Sequence, residues 1–472
     1  MGRRTRQQEA FRIMAMLARP TRDQPITWRK RAVDASAAQP LHWAALVLFG
    51  LAVTLSISAV RLGIGPLPLR LLVLSAAGGC IALADWPRLI EAFHQSRRVI
   101  GIIVGVAVLG VFVSVLAAAN PAAVAQQLFE IHFQALLTLV VTYALVLRFG
   151  VGLVLGCYIG AFALTALFAL GQALGLDAAW QARLFTGRLM RDPPLTQYWY
   201  VRRIRPLGLS YSPVHVGTQA CLVFAALFLL RFARTGAPAA WRRIDWPLIG
   251  LSMLLIAVCV ATGNRSPLLG IAVFFLIYGL VAAPRLMLIA LPLLLIGALL
   301  LPAVLESLSE SGVRVARTTD GSSTGRATLR AYGLYLLQQR PIGYGLTFDS
   351  TRYWPEFAHQ AIYMDNWLVF RQWPVHNYFL NILAKHGVLL LAVVPLLVPR
   401  TRAQAWMWLA FLPYLLHAFY HNEGPLQAEY QFFMILPAAM WLAHRVRQEG
   451  GDEERRRVAA RPWRRAFADQ AA

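Results

Sequence analysis

Three stretches of this sequence hold residue types suited to chemistry on an anionic substrate. In TrpProValHisAsnTyrPheLeu, His376 follows Pro374 and precedes a long apolar run. A helix beginning there puts the imidazole beside a helix N-terminus, whose partial positive charge disfavours imidazolium and keeps a neutral base available. A histidine anchored at a membrane interface gives the same pattern. Arg265 stands in the minimal turn ThrGlyAsnArgSerPro between two apolar runs. With no loop to hide in, it is either a snorkelling anchor or a phosphate clamp. The segment Asp177 to Pro213 carries Arg183, Arg188, Arg191, Arg202, Arg203 and Arg205 against only Asp177 and Asp192. It is a solvated loop, or it requires an anionic partner or a counter-charge elsewhere on the protein.

Other chemistry lacks support in the sequence. There is no GxxxxGK phosphate loop, no HExxH and no carboxylate cluster of metal-binding type, so nucleotide hydrolysis and zinc chemistry are not expected. Cys80, Cys157, Cys221 and Cys259 lie singly in apolar runs without metal or disulfide spacing and read as helix-packing residues. Glu130, His132, Lys385, His386 and His417 fall inside apolar runs, where ionisable groups are functional candidates or pair with one another. Glu130 and Arg70, both placed near the outer ends of their helices, are expected to form an ion pair.

The elements that must position these residues follow from composition. With 58% apolar and 14% charged residues among 472, against roughly 25% charged in soluble domains, most of the chain must sit in lipid. A bilayer core of about 30 Å needs roughly 20 apolar residues per helix, and that ruler finds about twelve runs, from Trp43–Val60 to Leu426–Ala443. The fold class is therefore all-α and polytopic. The formal charge of +23 is almost all arginine, since only Lys30 and Lys385 are lysines. Its clustering in alternate short linkers (Arg88, Arg97, Arg98; Arg148; Arg231, Arg234; Arg285; Arg400, Arg402) fits the positive-inside rule and not nucleic-acid binding. That orientation makes residues 1–42 a basic cytoplasmic tail without a cleaved signal. It makes 43–305 nine spans with an extracytoplasmic loop at 177–213, and 306–376 a large extracytoplasmic loop. Residues 377–443 then hold three further spans and 444–472 a second basic tail. Within the large loop, Ser323–Gln339 has capping residues and Leu329, Tyr332 and Leu336 at helical spacing, which predicts an amphipathic helix near the membrane surface.

The outward arginine in TGNRSPL, the loop sequence TGRATLRAYGLYLLQQRPIGYG and the run HNYFLNILAKHG occur in an order and on a side of the membrane that resemble the O-antigen ligase family. The resemblance spans roughly Ala44 to Ala443. It maps the family's features onto Arg265, onto Gly325-Arg326 with Pro341, Gly343 and Gly345, and onto His376-Asn377. Through ArgProLeuGly before the sixth span it also nominates Arg205, with Arg191 as a further candidate. What it implies is transfer of O-antigen polysaccharide from undecaprenyl diphosphate to a sugar hydroxyl of lipid A-core, at the periplasmic face of the bacterial inner membrane. His376 and Arg265 would then be catalytic and Arg191, Arg205 and Arg326 would bind substrate, with no cofactor and no metal. O-antigen polymerases and protein O-oligosaccharyltransferases of the same superfamily share the donor. A transporter of polyprenyl-linked glycans would also carry outward arginines, but transporters usually show repeat symmetry and binding groups near the midplane. Because guanidinium groups would take the place of a divalent cation, transfer is expected to survive EDTA. Complete loss rescued by magnesium or manganese would contradict this.

Overall fold

The computed structural model describes residues 40–58, 63–64, 67–189, 194–235, 245–282, 284, 287–288, 321–363 and 373–448. Most of both predicted tails, Arg191 and nearly all of the predicted span Leu286–Leu305 lie outside these residues.

The described chain is mostly helical. Pro40–Ile57 (α1) leads to the 48-residue Leu69–Leu116 (α2) and the 53-residue Pro121–Ala173 (α3). Two short helices, Asp177–Leu189 (α4) and Pro194–Val201 (α5), precede Pro213–Thr235 (α6), Trp246–Ala261 (α7) and Arg265–Ala282 (α8). Gly321–Gln339 (α9) and Trp354–Ala361 (α10) follow, then Tyr378–His386 (α11) and Val388–Leu397 (α12), which meet at 109°. Arg402–Ala410 (α13), Leu412–Phe419 (α14) and residues 432–448 (α15) complete the set. Among the described residues four helices are long and apolar enough to cross a membrane, or five if the bent pair α11–α12 is one crossing.

Two of those helices exceed what one crossing needs. At 1.5 Å per residue α2 extends roughly 70 Å, more than twice a bilayer core. It breaks at Asp85, whose φ of −158° and ψ of 67° are not helical, just ahead of Pro87. The Asp85 side chain accepts from the Arg88 amide at 3.2 Å and so caps the second half. In α3 the break is Gly150, at φ 78° and ψ 166°. The apolar runs at 67–84 and 99–119 thus share one broken helix, as do those at 124–147 and 151–174, and Arg88, Arg97 and Arg98 lie on helix.

One apolar core joins α1, α2, α3, α6, α7, α8, α13, α14 and α15. Its centre is α6, buried along most of its length, where Phe224 and Phe228 meet Phe274 at ring distances of 4.7 and 5.2 Å. A second cluster lies around α9. This helix forms where the sequence predicts it, but its apolar face does not lie on a membrane surface. Leu329, Tyr332 and Leu336 are fully buried against Trp354, Phe357 and Val375, because the loop after α9 folds back over them. The expected Arg70–Glu130 ion pair is likewise absent. Arg70 lies over the Tyr430 ring at 4.2 Å, while Glu130 accepts from Gln126 at 2.8 Å.

The stretch Pro341–Gly345 ties these two regions together. The Tyr344 and Gly345 amides donate to the Ala384 and Lys385 carbonyls at 2.8 and 2.9 Å, satisfying carbonyls at the end of α11. The Leu346 amide donates to Ser114 Oγ of α2 at 2.8 Å. Gly345 has φ 90°, and a Cβ there would sit 2.7 Å from Ser114 Cα, so only glycine permits the approach. Gly345→Val is therefore expected to lose on the order of 2 kcal/mol or more, read as a lower unfolding temperature in detergent. An unchanged temperature would show that the junction is not needed for stability.

Candidate active site

His376 is set by the residues on either side of it. Asn377 is the N-cap of α11, its side chain accepting from the Leu380 amide at 3.0 Å, and it is almost fully buried. Pro374 lacks an amide hydrogen, but its carbonyl lies 2.7 Å from His376 Nδ1. A carbonyl only accepts, so Nδ1 carries the proton and Nε2 keeps its lone pair. The Trp373 ring stacks obliquely on the imidazole at 5.2 Å. The His-Asn pair of the sequence thus divides into a cap and an imidazole held in one orientation.

Arg205 sits in a separate piece of non-helical backbone. Gln172 Oε1 accepts from the amides of Leu207 and Gly208, both at 2.9 Å, and so fixes the turn after Arg205. Gly208 is at φ 58°, where a Cβ would lie 2.2 Å from the Thr165 carbonyl oxygen, which explains the glycine of ArgProLeuGly. From there the guanidinium donates to the carbonyls of Thr262 at 2.6 Å and Gly263 at 2.8 Å, and to Asn264 Oδ1 at 3.3 Å. Asn264 Nδ2 in turn donates to the Pro213 carbonyl at 2.6 Å. Arg205 therefore holds the turn that presents Arg265, the first residue of α8.

Beyond Arg265 lies a cluster of imidazoles. Ser266 Oγ is 2.9 Å from His417 Nδ1 and 3.4 Å from His421 Nε2, and His417 Nε2 is 3.0 Å from Thr218 Oγ1. The two rings stack at 4.3 Å. His215 joins through Glu423, with Nε2 to Oε2 at 3.2 Å, and its Nδ1 is 3.0 Å from Ser212 Oγ. Arg326, on the first turns of α9, acts electrostatically on His376, His417 and His421, and Arg205 acts on His421.

Of the nominated residues, Arg205, Arg326 and His376 all act electrostatically on the buried His421, and Arg265 stands in the turn that Arg205 holds. Arg191 lies outside the described residues. The long arginine-rich segment partly supplies its own partners. Arg183 is buried over the Tyr200 ring at 4.4 Å and Arg203 pairs with Asp177 at 2.7 Å. Sequence reading missed His215, His421, Glu423 and Ser266. Its one available signal was the polar run HisAsnGlu at 421–423, inside a linker too short to need three polar residues. Among the described residues no group of three or more His, Cys, Asp or Glu is arranged to hold a metal ion.

This arrangement suits proton removal beside an anion. Burial lowers the His376 pKa below its ordinary 6.5, the Pro374 bond works against that, and Arg326 lowers it further. Burial, His417 and Arg326 push His421 well below the same value. A base with a lowered pKa is lost only when pH falls through that lowered value. The acid limb of the pH–rate profile is thus expected below pH 6.5. An acid limb above 6.5 that persists in wild type and moves in no His376 variant would remove this histidine from the proton transfer.

A search of curated proteins found no match to the chain. Residues 250–394 match the family model described as O-Antigen ligase. The matched stretch contains Arg265, Gly325-Arg326, the Pro341–Gly345 junction and His376, while Arg205 and the imidazoles of α6 and α14 lie outside it. The match agrees with the motifs that carried the resemblance, and over residues 250–394 the chain is similar to the O-antigen ligase family.

Proposed function

We propose that the chain is an O-antigen ligase that moves polysaccharide from undecaprenyl diphosphate to a sugar hydroxyl of lipid A-core. The observation that carries this reading is the His376 imidazole, with Nδ1 held by the Pro374 carbonyl, Nε2 left basic, and Arg326 near enough to act on it electrostatically. In the proposed reaction the acceptor O–H gives its proton to Nε2 as its oxygen attacks the anomeric carbon of the donor. The bond from that carbon to the diphosphate oxygen breaks, and its electron pair leaves on the diphosphate. A diphosphate is already a good leaving group, so a general acid is dispensable and cations that hold the growing charge are what the site must supply. Arg265 and Arg326 take that role, helped by the N-terminus of α8, and Arg205 positions Arg265.

The membrane context completes the proposal. About twelve spans, both termini cytoplasmic and the site open to the periplasm are supported by the arginine bias of the short linkers and by the broken helices α2 and α3, each with length for two crossings. The donor enters as a membrane lipid.

The test uses purified protein, polyprenyl-diphosphate glycan and lipid A-core. Joined product with no other component is expected. Product formed instead on a second lipid-linked glycan or on a protein would make the chain a polymerase or a protein oligosaccharyltransferase. His376→Ala should cut transfer by about 10²-fold to 10⁴-fold while keeping donor binding. Arg265→Lys should be impaired despite its charge, because lysine cannot engage two phosphate oxygens at once. Wild-type rates in both variants, with monodisperse protein, would refute this assignment of roles.

A further inference from the structure

Next to His376 lies a polar cavity of about 570 Å³, within the usual range for ligand pockets. Its wall includes Pro374, whose carbonyl holds His376, and Glu423, whose carboxylate meets His215. Ser350 also lines it and accepts from the Val375 amide at 3.1 Å, so the cavity and the His376 segment share backbone support.

The lining is built to meet a ligand that both donates and accepts hydrogen bonds. Lys385 and Asn381 of α11 are 9% and 6% exposed, and neither side chain hydrogen-bonds a described residue. Gln427 Oε1 is buried with no partner, although its Nε2 donates to the Asn422 carbonyl at 2.9 Å. A buried polar atom left unpaired costs about 1–3 kcal/mol, so Gln427 Oε1, together with the two polar side chains of α11 that line the same cavity, points to an occupant. Asp349 supplies a charge opposite to that of Lys385. Glu130 and Gln134 enter from Leu128–Phe133, a π-helical turn of α3 and the residue after it, an irregularity frequent at functional sites. Mixed charges, amides and hydroxyls exclude an apolar lipid tail and do not select a simple anion. They fit the hydroxyls of a sugar ring.

We propose that this cavity is the acceptor subsite, where Lys385, Asn381 and Gln427 bind hydroxyls of the saccharide whose neighbouring O–H is presented to His376 Nε2. The proposal rests on the transfer reading above.

The test is transfer kinetics of full-length Lys385→Met, Asn381→Leu and Glu130→Gln, varying donor and acceptor separately. Glu130→Gln is isosteric at an exposed position, so misfolding would not account for its effect. The KM for lipid A-core should rise about tenfold for the first two and less for the third, with the KM for donor unchanged. A rise in donor KM alone would assign the cavity to the donor glycan and overturn the proposal, as would no change in either. Saturation-transfer NMR with delipidated core oligosaccharide separates the two readings. Binding to wild type that weakens in Lys385→Met, in a protein that transfers nothing, would sink the ligase reading and leave the saccharide site. Transfer that proceeds normally in all three variants would do the reverse.

Discussion

In a chain whose helices lie in lipid, backbone that is not helical must find its hydrogen bonds inside the protein, because hydrocarbon offers none. The candidate site is made of such backbone. The turn at 262–264, the stretch after Arg205, the Pro341–Gly345 junction and the entry to α11 are each irregular. Each is satisfied by a side chain or carbonyl from elsewhere: Arg205, Gln172, the end of α11, and the Asn377 cap. These ties do double service. The bonds that keep polar backbone paired also hold Arg265 and His376 in place, so the site inherits the rigidity of the bundle.

Electrostatics around the imidazoles follows from the same enclosure. Burial disfavours their charged forms, and the charged neighbours that act on His376 and His421 are cationic. The His376 and His421 imidazoles, held neutral with guanidinium groups acting on them, give a region suited to take a proton and to meet an anion, as the proposed lipid-diphosphate donor would require. Glu423, paired with His215, stands at the border between that region and the polar cavity.

Arginine serves two purposes in this protein. Arg183 packs over Tyr200 and Arg203 pairs with Asp177, so part of the arginine excess of residues 177–213 is internal architecture. Arg205 lies between the two classes: its guanidinium is spent on the turn of Arg265, and it reaches the site through that turn.

The sequence by itself determined what local patterns determine. Apolar run length marked the chain as a mostly helical membrane protein, and Ser323–Gln339 was legible as a helix from its capping residues and spacing. The motifs at Arg265 and His376 were legible as candidates for chemistry because charges beside apolar runs are costly without a purpose, while Arg326 was nominated by the family resemblance. Only the tertiary structure decided which partners these residues have. That Leu329, Tyr332 and Leu336 bury against protein and not at a lipid surface depends on a loop returning from beyond Tyr344. That Arg70 lies over the ring of Tyr430, far along the chain, while Glu130 bonds Gln126 is likewise a matter of packing. His215, His421 and Glu423 gained meaning only when α6, α8 and α14 packed together, since contacts between residues some 150 to 200 positions apart, such as Ser266 and Thr218 with His417, leave no periodic trace in sequence. Local rules govern helices; long-range packing assembles a site.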